Sequence, residues 1–354
     1  MLTIISVLVV IGGVVLAHEL GHFVFAKLTG MRVEIFSIGF PPKLFGKKIG
    51  ETEYRISAIP LGGYVKVSGV VDESMDTEIK GEPWEFQSKN IVQKLLFISG
   101  GVLFNLLFAV FIFSILTGLS GIYEADNSPV IGEVMGKFPA DSIGLIAGDR
   151  ILAVNGIPTN SWNEITEIIH SYPDTIIRIK WERDGEVFEK EVHTLKNRIL
   201  KGSKFVEVGL VGISPILHCK KATFFSAIGR GFENTFYWLK VTIISVKLLI
   251  TGQESIRNIG GPIFIAQLAG QTARTGGLSA LAGLMAIINI NLGLINILPL
   301  PALDGGHFLI TLIEGIKGKP LTTRTKLIIQ QIGIAIIILL TILVFYNDIS
   351  RLFR

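Results

Sequence analysis

Residues 2–28 read LTIISVLVVIGGVVLAHELGHFVFAKL. A helix rises about 1.5 Å per residue and about 20 apolar residues cross the hydrocarbon of a bilayer, so this stretch is long enough to span a membrane. It has no basic residue ahead of the apolar run and no cleavage site before His18, and so reads as a retained helix and not as a signal peptide. The run then passes through His18, Glu19 and His22. His18 falls roughly 24 Å along the helix from Leu2, inside the membrane and towards its far boundary. An ionised group at the centre of a span costs about 2.5–3.5 kcal/mol on insertion scales, so this cluster is expected to face protein and to serve chemistry.

Outward from this helix, three further stretches, about 94–119, 278–303 and 325–346, are also long and apolar enough to span. The 354 residues are 49% hydrophobic and the mean hydropathy is +0.56, more apolar than a soluble core requires. The expected fold class is therefore a polytopic α-helical membrane protein with about four spans. The net charge of +4 comes from Lys and Arg dispersed along the chain with no aromatic-interleaved basic stripe, so the expected partner is the lipid bilayer and not nucleic acid. Lys27, Arg32, Lys43, Lys47 and Lys48 follow the first span, and Lys317, Lys319, Arg324 and Lys326 precede the fourth. The positive-inside rule then puts both loops in the cytoplasm, with the two termini and the region between the second and third spans outside. Arg351 and Arg354 oppose this orientation mildly. The single cysteine, Cys219, can form no internal disulfide and no thiolate metal site, so a metal would need His and carboxylates.

Four regions follow: a membrane core over 1–125, a soluble module over 126–197, a connecting amphipathic region over 198–277 and a second membrane core over 278–354. In the first, Val33 to Ser68 alternates as a β-ribbon, with Gly46-Lys47-Lys48-Ile49-Gly50 as a hairpin tip. The ribbon is either an ordinary cytoplasmic hairpin or one that dips into the protein beside the histidines. The module reads as a small α+β domain: strand Val130 to Met135, loop Gly136 to Gly148, strand Arg150 to Asn155, helix Trp162 to Ser171, and a hairpin turning at Asp184-Gly185. Phe224 to Thr251 is apolar but broken by Arg230, Glu233, Lys240 and Lys247, which suits an interfacial helix. A fifth crossing there would move the C-terminus to the other side.

In His18-Glu19-Leu20-Gly21-His22 the histidines are one helical turn apart and can turn imidazole nitrogens to one metal ion, leaving Glu19 to act on a metal-activated water. A catalytic zinc usually takes three protein ligands and a water, so one ligand is missing from this helix. Asp304 is the leading candidate, at the end of Asn296-Ile297-Leu298-Pro299-Leu300-Pro301-Ala302-Leu303-Asp304-Gly305-Gly306, where two prolines interrupt the helix. His307 is the rival, and on spacing alone Asp304 also fits a turn before glycine. Asn105, inside the second span, either bonds a neighbouring helix or positions substrate; Asn296 either orients substrate or satisfies backbone freed by Pro299. His170, His193 and His218 read as ordinary polar residues of the soluble region.

These motifs together resemble the site-2 protease family of intramembrane zinc metalloproteases, and within it the bacterial group of the regulator of sigma-E protease. The resemblance spans nearly the whole chain: the His18–His22 motif, Pro60-Leu61-Gly62-Gly63-Tyr64-Val65-Lys66 in the ribbon, Gly101 to Asn105, a module whose Gly148 to Gly156 resembles bacterial PDZ domains, and Asn296 to Gly306. It implies His18, His22 and Asp304 as zinc ligands and Glu19 as general base. Asn105, Asn296 and the ribbon glycines Gly62 and Gly63 would lie near the substrate. It further implies a bacterial inner membrane location with the PDZ-like domain extracytoplasmic. Substrates would be single-span membrane proteins, such as anti-sigma factors already shortened by an upstream site-1 protease, or signal-peptide remnants. The chain departs from the family in Ser37-Ile38-Gly39-Phe40-Pro41-Pro42, in Ile143, and in having one PDZ-like module where the nearest relatives carry two. A membrane metal carrier would account for intramembrane His and Asp but not for Glu19 beside His18. A catalytically idle peptide-binding chaperone would not need the intact motif.

Overall fold

The computed structural model describes residues 2–70, 80–202, 204–255, 259–319 and 321–353; Met1 and the terminal Arg354 lie outside the described residues. In chain order the elements are helix α1 (Leu2–Leu28), strands β1 (Val33–Ile49) and β2 (Thr52–Val67), a 3₁₀ turn Phe86–Ser88 and helix α2 (Ile91–Ser120). Next come β3 (Ile122–Ala125), β4 (Ile131–Val134), α3 (Pro139–Ser142), β5 (Arg150–Val154), β6 (Ile157–Pro158), α4 (Trp162–His170), β7 (Ile176–Arg183) and β8 (Glu186–His193). Strands β9 (Leu195–Lys201), β10 (Lys204–Leu210), β11 (Ile213–Pro215) and β12 (Leu217–Lys220) precede α5 (Phe224–Ile250), α6 (Pro262–Ile297), α7 (Asp304–Lys317) and α8 (Thr323–Leu352). These form two compact units, one of residues 1–117 with 224–354 and the other of residues 118–223.

Four helices of the first unit are long and apolar enough to cross a membrane: Leu2–Leu28, Ile91–Ser120, Pro262–Ile297 and Arg324–Leu352. Helix α1 buries Ser6, Val10, Val14, Ala17 and Gly21, a stripe at three- and four-residue spacing that packs mainly on α6. Gly21 meets the backbone of Gly100 and Gly101 in α2, where a Cβ atom would overlap the Gly100 carbonyl; small residues at a helix crossing are what close approach in lipid requires. The third apolar stretch ends earlier than its composition suggests. Helix α6 stops at Ile297, and Leu298 turns extended (φ −59, ψ 140) because the ring of Pro299 disfavours helical backbone in the residue before it. Within α6, Gly277 adopts a positive φ of 62 and kinks the helix just ahead of residue 278. Helix α5 is continuous and lies in the same unit, with Gly231 against Val110 and Ser114 of α2 and Thr242 Oγ1 donating to Asn291 Oδ1 of α6 at 2.7 Å. With its four charges it is not among the helices apolar enough to span.

The ribbon is more folded than a hairpin. Residues 53–56 pair on one side with 45–48 of β1 and on the other with 35–38, and 35–38 pair in turn with 63–66. Both strands therefore bend back, near 39–42 and near 58–61, giving four antiparallel segments with 63–67 at one edge. Ser37, buried in the bend, donates from Oγ to the Gly39 carbonyl at 2.9 Å and shares a hydrogen bond of 2.9 Å with Ser57 Oγ. The turn closes between Ile49 and Thr52, beyond the expected tip, with Gly50 at φ 62.

The second unit holds a four-stranded sheet in the order β6-β5-β7-β8, closed over a core that includes Ile151, Ile165, Ile179 and Trp181. Asp184 and Gly185, both at positive φ, turn β7 into β8. Ser161 caps α4 by accepting from the Glu164 amide, while the Glu164 carboxylate accepts from the Asn160 amide just ahead of the helix. The unit runs wider than 126–197 at both ends because β3 pairs with β12, and because β11 pairs with β4.

Candidate metal centre

His18 and His22 project from α1 one turn apart, and Asp304 arrives at the first position of α7, where the unpaired amides of a helix N-terminus favour a carboxylate. His18 Nε2 and His22 Nε2 are 3.3 Å apart, and each is 3.4 Å from Asp304 Oδ2. Among the described residues these are the three side chains close enough together to hold one ion. A tetrahedral site with ligand bonds of roughly 2.0–2.1 Å has edges of about 3.3–3.4 Å, so the three donor atoms already have the spacing of one zinc face. Asp304 Oδ2 is buried and has no hydrogen-bond donor among the described residues, as an oxygen reserved for a cation would be. Two imidazoles and one carboxylate fit zinc.

The supports of this triangle come from backbone as much as from side chains. His22 Nδ1 lies 3.1 Å from the Phe97 carbonyl, which fixes Nδ1 as the protonated nitrogen and leaves Nε2 for the centre. Gly101 packs beneath both rings: a Cβ atom there would sit 2.5 Å from His18 Cε1 and His22 Nε2. Loop 298–303 carries Ala302 at φ 73 and delivers Asp304, with Gly305 and Gly306 pressed against the carbonyls of Ile297, Leu298 and Leu300 so closely that larger residues would not fit. His307 faces the same space but is not one of the three clustered donors.

A cavity of about 700 Å³ opens on the centre, lined by His18, Glu19, His22, Asn296, Asp304 and the ribbon residues Gly63 to Lys66. Glu19 is beside the ribbon; a Cβ on Gly63 would stand 3.3 Å from Glu19 Cγ. Asn296, near the end of α6, has Nδ2 3.2 Å from His18 Nε2 and lies in the cavity wall. Asn105 does not. It is fully buried behind His18, its amide 3.2 Å from His18 Nδ1. Gly62 is covered by the ring of Phe40, whereas Gly63 lines the cavity. The residue types did not point to the Phe97 carbonyl, because every residue has one, or to Gln330 of α8, which also lines the cavity; the signal for Gln330 was an amide in an otherwise apolar span.

The model of peptidase family M50 matches residues 6–340. Zinc metalloprotease RasP of Geobacillus kaustophilus is 31% identical, with 99% of this chain and 98% of that one covered. A Clostridium acetobutylicum protein, provisionally named a zinc metalloprotease, is 34% identical over 98% of this chain and 97% of its own. A solved PDZ domain of an SdrC-like protein from Listeria monocytogenes aligns with 25% of this chain and 88% of its own at 19% identity and a TM-score of 0.21, too slight a likeness to carry weight. On the strength of a match that runs from the first apolar helix into the last, the chain belongs to peptidase family M50 and is a zinc metalloendopeptidase.

Proposed function

We propose that the protein cleaves single-span membrane proteins within or beside the bilayer, with His18, His22 and Asp304 as zinc ligands and Glu19 as general base. The observation that carries this reading is the near-equilateral triangle of donors, 3.3, 3.4 and 3.4 Å on its edges, at the wall of a cavity that also holds Glu19. When bound, zinc lowers the pKa of water to about 7 and polarises the scissile carbonyl. Glu19 takes a proton from the attacking water and returns it to the departing amine as the C–N bond breaks, so no net proton is consumed. Asn105 holds His18. As placed, its buried Oδ1 has no partner among the described residues; turning the amide by 180° gives that oxygen the Nδ1–H of His18 and keeps the Nε2 lone pair for the metal.

The ribbon edge supplies the substrate seat. Residues 63–66 pair with β1 on one side only and line the cavity on the other. A transmembrane substrate hides its carbonyls in its own helix; pairing with this edge would draw it into extended form and present a carbonyl to the centre. The bacterial origin of the similar proteins and the basic loops favour a bacterial inner membrane, with the PDZ-like module extracytoplasmic. Such a placement suits regulated proteolysis, in which an upstream protease first shortens an anti-sigma factor or a similar substrate. A metal carrier is not favoured, since it gives Glu19 no task.

The test is incubation of purified wild type and Glu19→Gln with a truncated single-span substrate, with mass spectrometry of products. Glu19→Gln is expected to lose cleavage by about 10²–10⁴-fold while keeping its zinc. Equal cleavage by both forms would remove Glu19 from the reaction.

A further inference from the structure

On α8, Lys326, Ile329 and Gln330 face the cavity that contains the metal centre. This part of the helix is held in place: a Cβ on Gly333, one turn beyond Gln330, would overlap the Pro301 carbonyl in the loop that delivers Asp304. Gln330 is only 5% exposed, and its Nε2 is buried with no hydrogen-bond partner among the described residues. Its neighbours differ. Lys326 Nζ is paired with Glu314 at 2.8 Å, and Gln331 is exposed on another face of the same helix.

A buried amide donor without a partner is rare, and one on a residue that lines a cavity points to something that enters it. The chemistry of that entrant follows from the opposite wall. A peptide paired as a strand on the 63–66 edge directs half of its carbonyls to the ribbon; the rest point away from it, into the cavity. Those outward carbonyls need donors. We infer that Gln330 is a substrate-positioning residue whose amide donates to a backbone carbonyl of the extended substrate, on the side turned away from the ribbon. The contact is to main chain, so it sets the register in which the peptide lies over the centre and is indifferent to side-chain identity. It rests on the extended-substrate reading given above.

The experiment compares wild type, Glu19→Gln, Gln330→Met and Gln330→Glu on the same truncated single-span substrate. Methionine keeps the length of the side chain and removes the donor; glutamate keeps the shape and removes the amide. Both are expected to raise KM about tenfold, as for one lost hydrogen bond that strands its acceptor, and to spread cleavage over neighbouring bonds in mass spectra. Zinc content and thermal midpoint are expected to stay at wild-type values, and Gln331→Met to behave as wild type. Wild-type KM and a single cleavage position in both Gln330 variants would overturn the inference, as would an activity loss that merely follows lost zinc or a lowered midpoint. If instead wild type and Glu19→Gln give identical products, the proteolytic reading of the site fails first, and the outcomes separate.

Discussion

Asn105 illustrates how a polar residue in an apolar helix can act at one remove from a peptide. With its amide 3.2 Å from His18 Nδ1 and no exposure, it is placed to orient that imidazole. Asn105→Leu is expected to weaken zinc binding about 10–100-fold, as other losses of a partner behind a ligating imidazole do, with KM for peptide unchanged at saturating zinc. Competition with a fluorescent chelator measures the first and steady-state kinetics the second. The clustering of three donors was legible in the sequence for simple reasons: His18 and His22 obey the four-residue period, and Asp304 stands where Pro299 and Pro301 stop a helix. What lay behind them was not legible. The hydrogen bond to Phe97 uses main chain, and whether Asn105 faces His18 or the cavity depends on the rotation of α2, which an apolar sequence on all sides does not specify.

Among the elements, the ribbon and the last helix make separable predictions. Glu53 accepts from Arg55 at 2.5 Å and from Lys43, and these hydrogen bonds lower its pKa from 4.5 to about 2. A carboxylate shifted downwards stabilises the fold fully above its ordinary pKa and loses that contribution as pH falls through its folded value. The ribbon is therefore expected to keep its Glu53 contacts from neutral pH down to about 4.5 and to loosen as pH falls towards 2, read as faster proteolysis or amide exchange over 43–57; Glu53→Gln should flatten that dependence. One turn before the end of helix α8 stands Asp348, 2% exposed, whose carboxylate accepts from the amides of Gly261, Ile263 and Phe264 and so caps α6 from a distance. Asp348→Ala removes the acceptor of three amides, that of Gly261 buried, and is expected to cost about 2 kcal/mol, seen as a lower thermal midpoint in detergent. The alternation of Val33 to Ser68 announced strands, but not that each would fold back, because the bends depend on Ser37 meeting Ser57 and on Gly39 at φ 93 lying against the Ser57 carbonyl.

At the scale of the whole molecule, the two units have separate cores, one around α1, α2 and α6 and one around the β5–β8 sheet. Zinc binds folded protein alone, so its removal should lower the stability of the unit that holds it. Chelation is expected to move the calorimetric transition of the helical unit downwards and to leave that of the 118–223 unit in place; in Asp304→Ala, chelator should have little further effect. The order of the long apolar helices, the module and its hairpin were all visible as shifts of period and composition, whereas the extent of the module depended on β3 finding β12, nearly a hundred residues later, which no local pattern records. The ligand set has the same long reach. Two of its members are made almost at once and the third only when nearly all of the chain has been synthesised. A chain still on the ribosome therefore holds two corners of the triangle without the third until late in its translation.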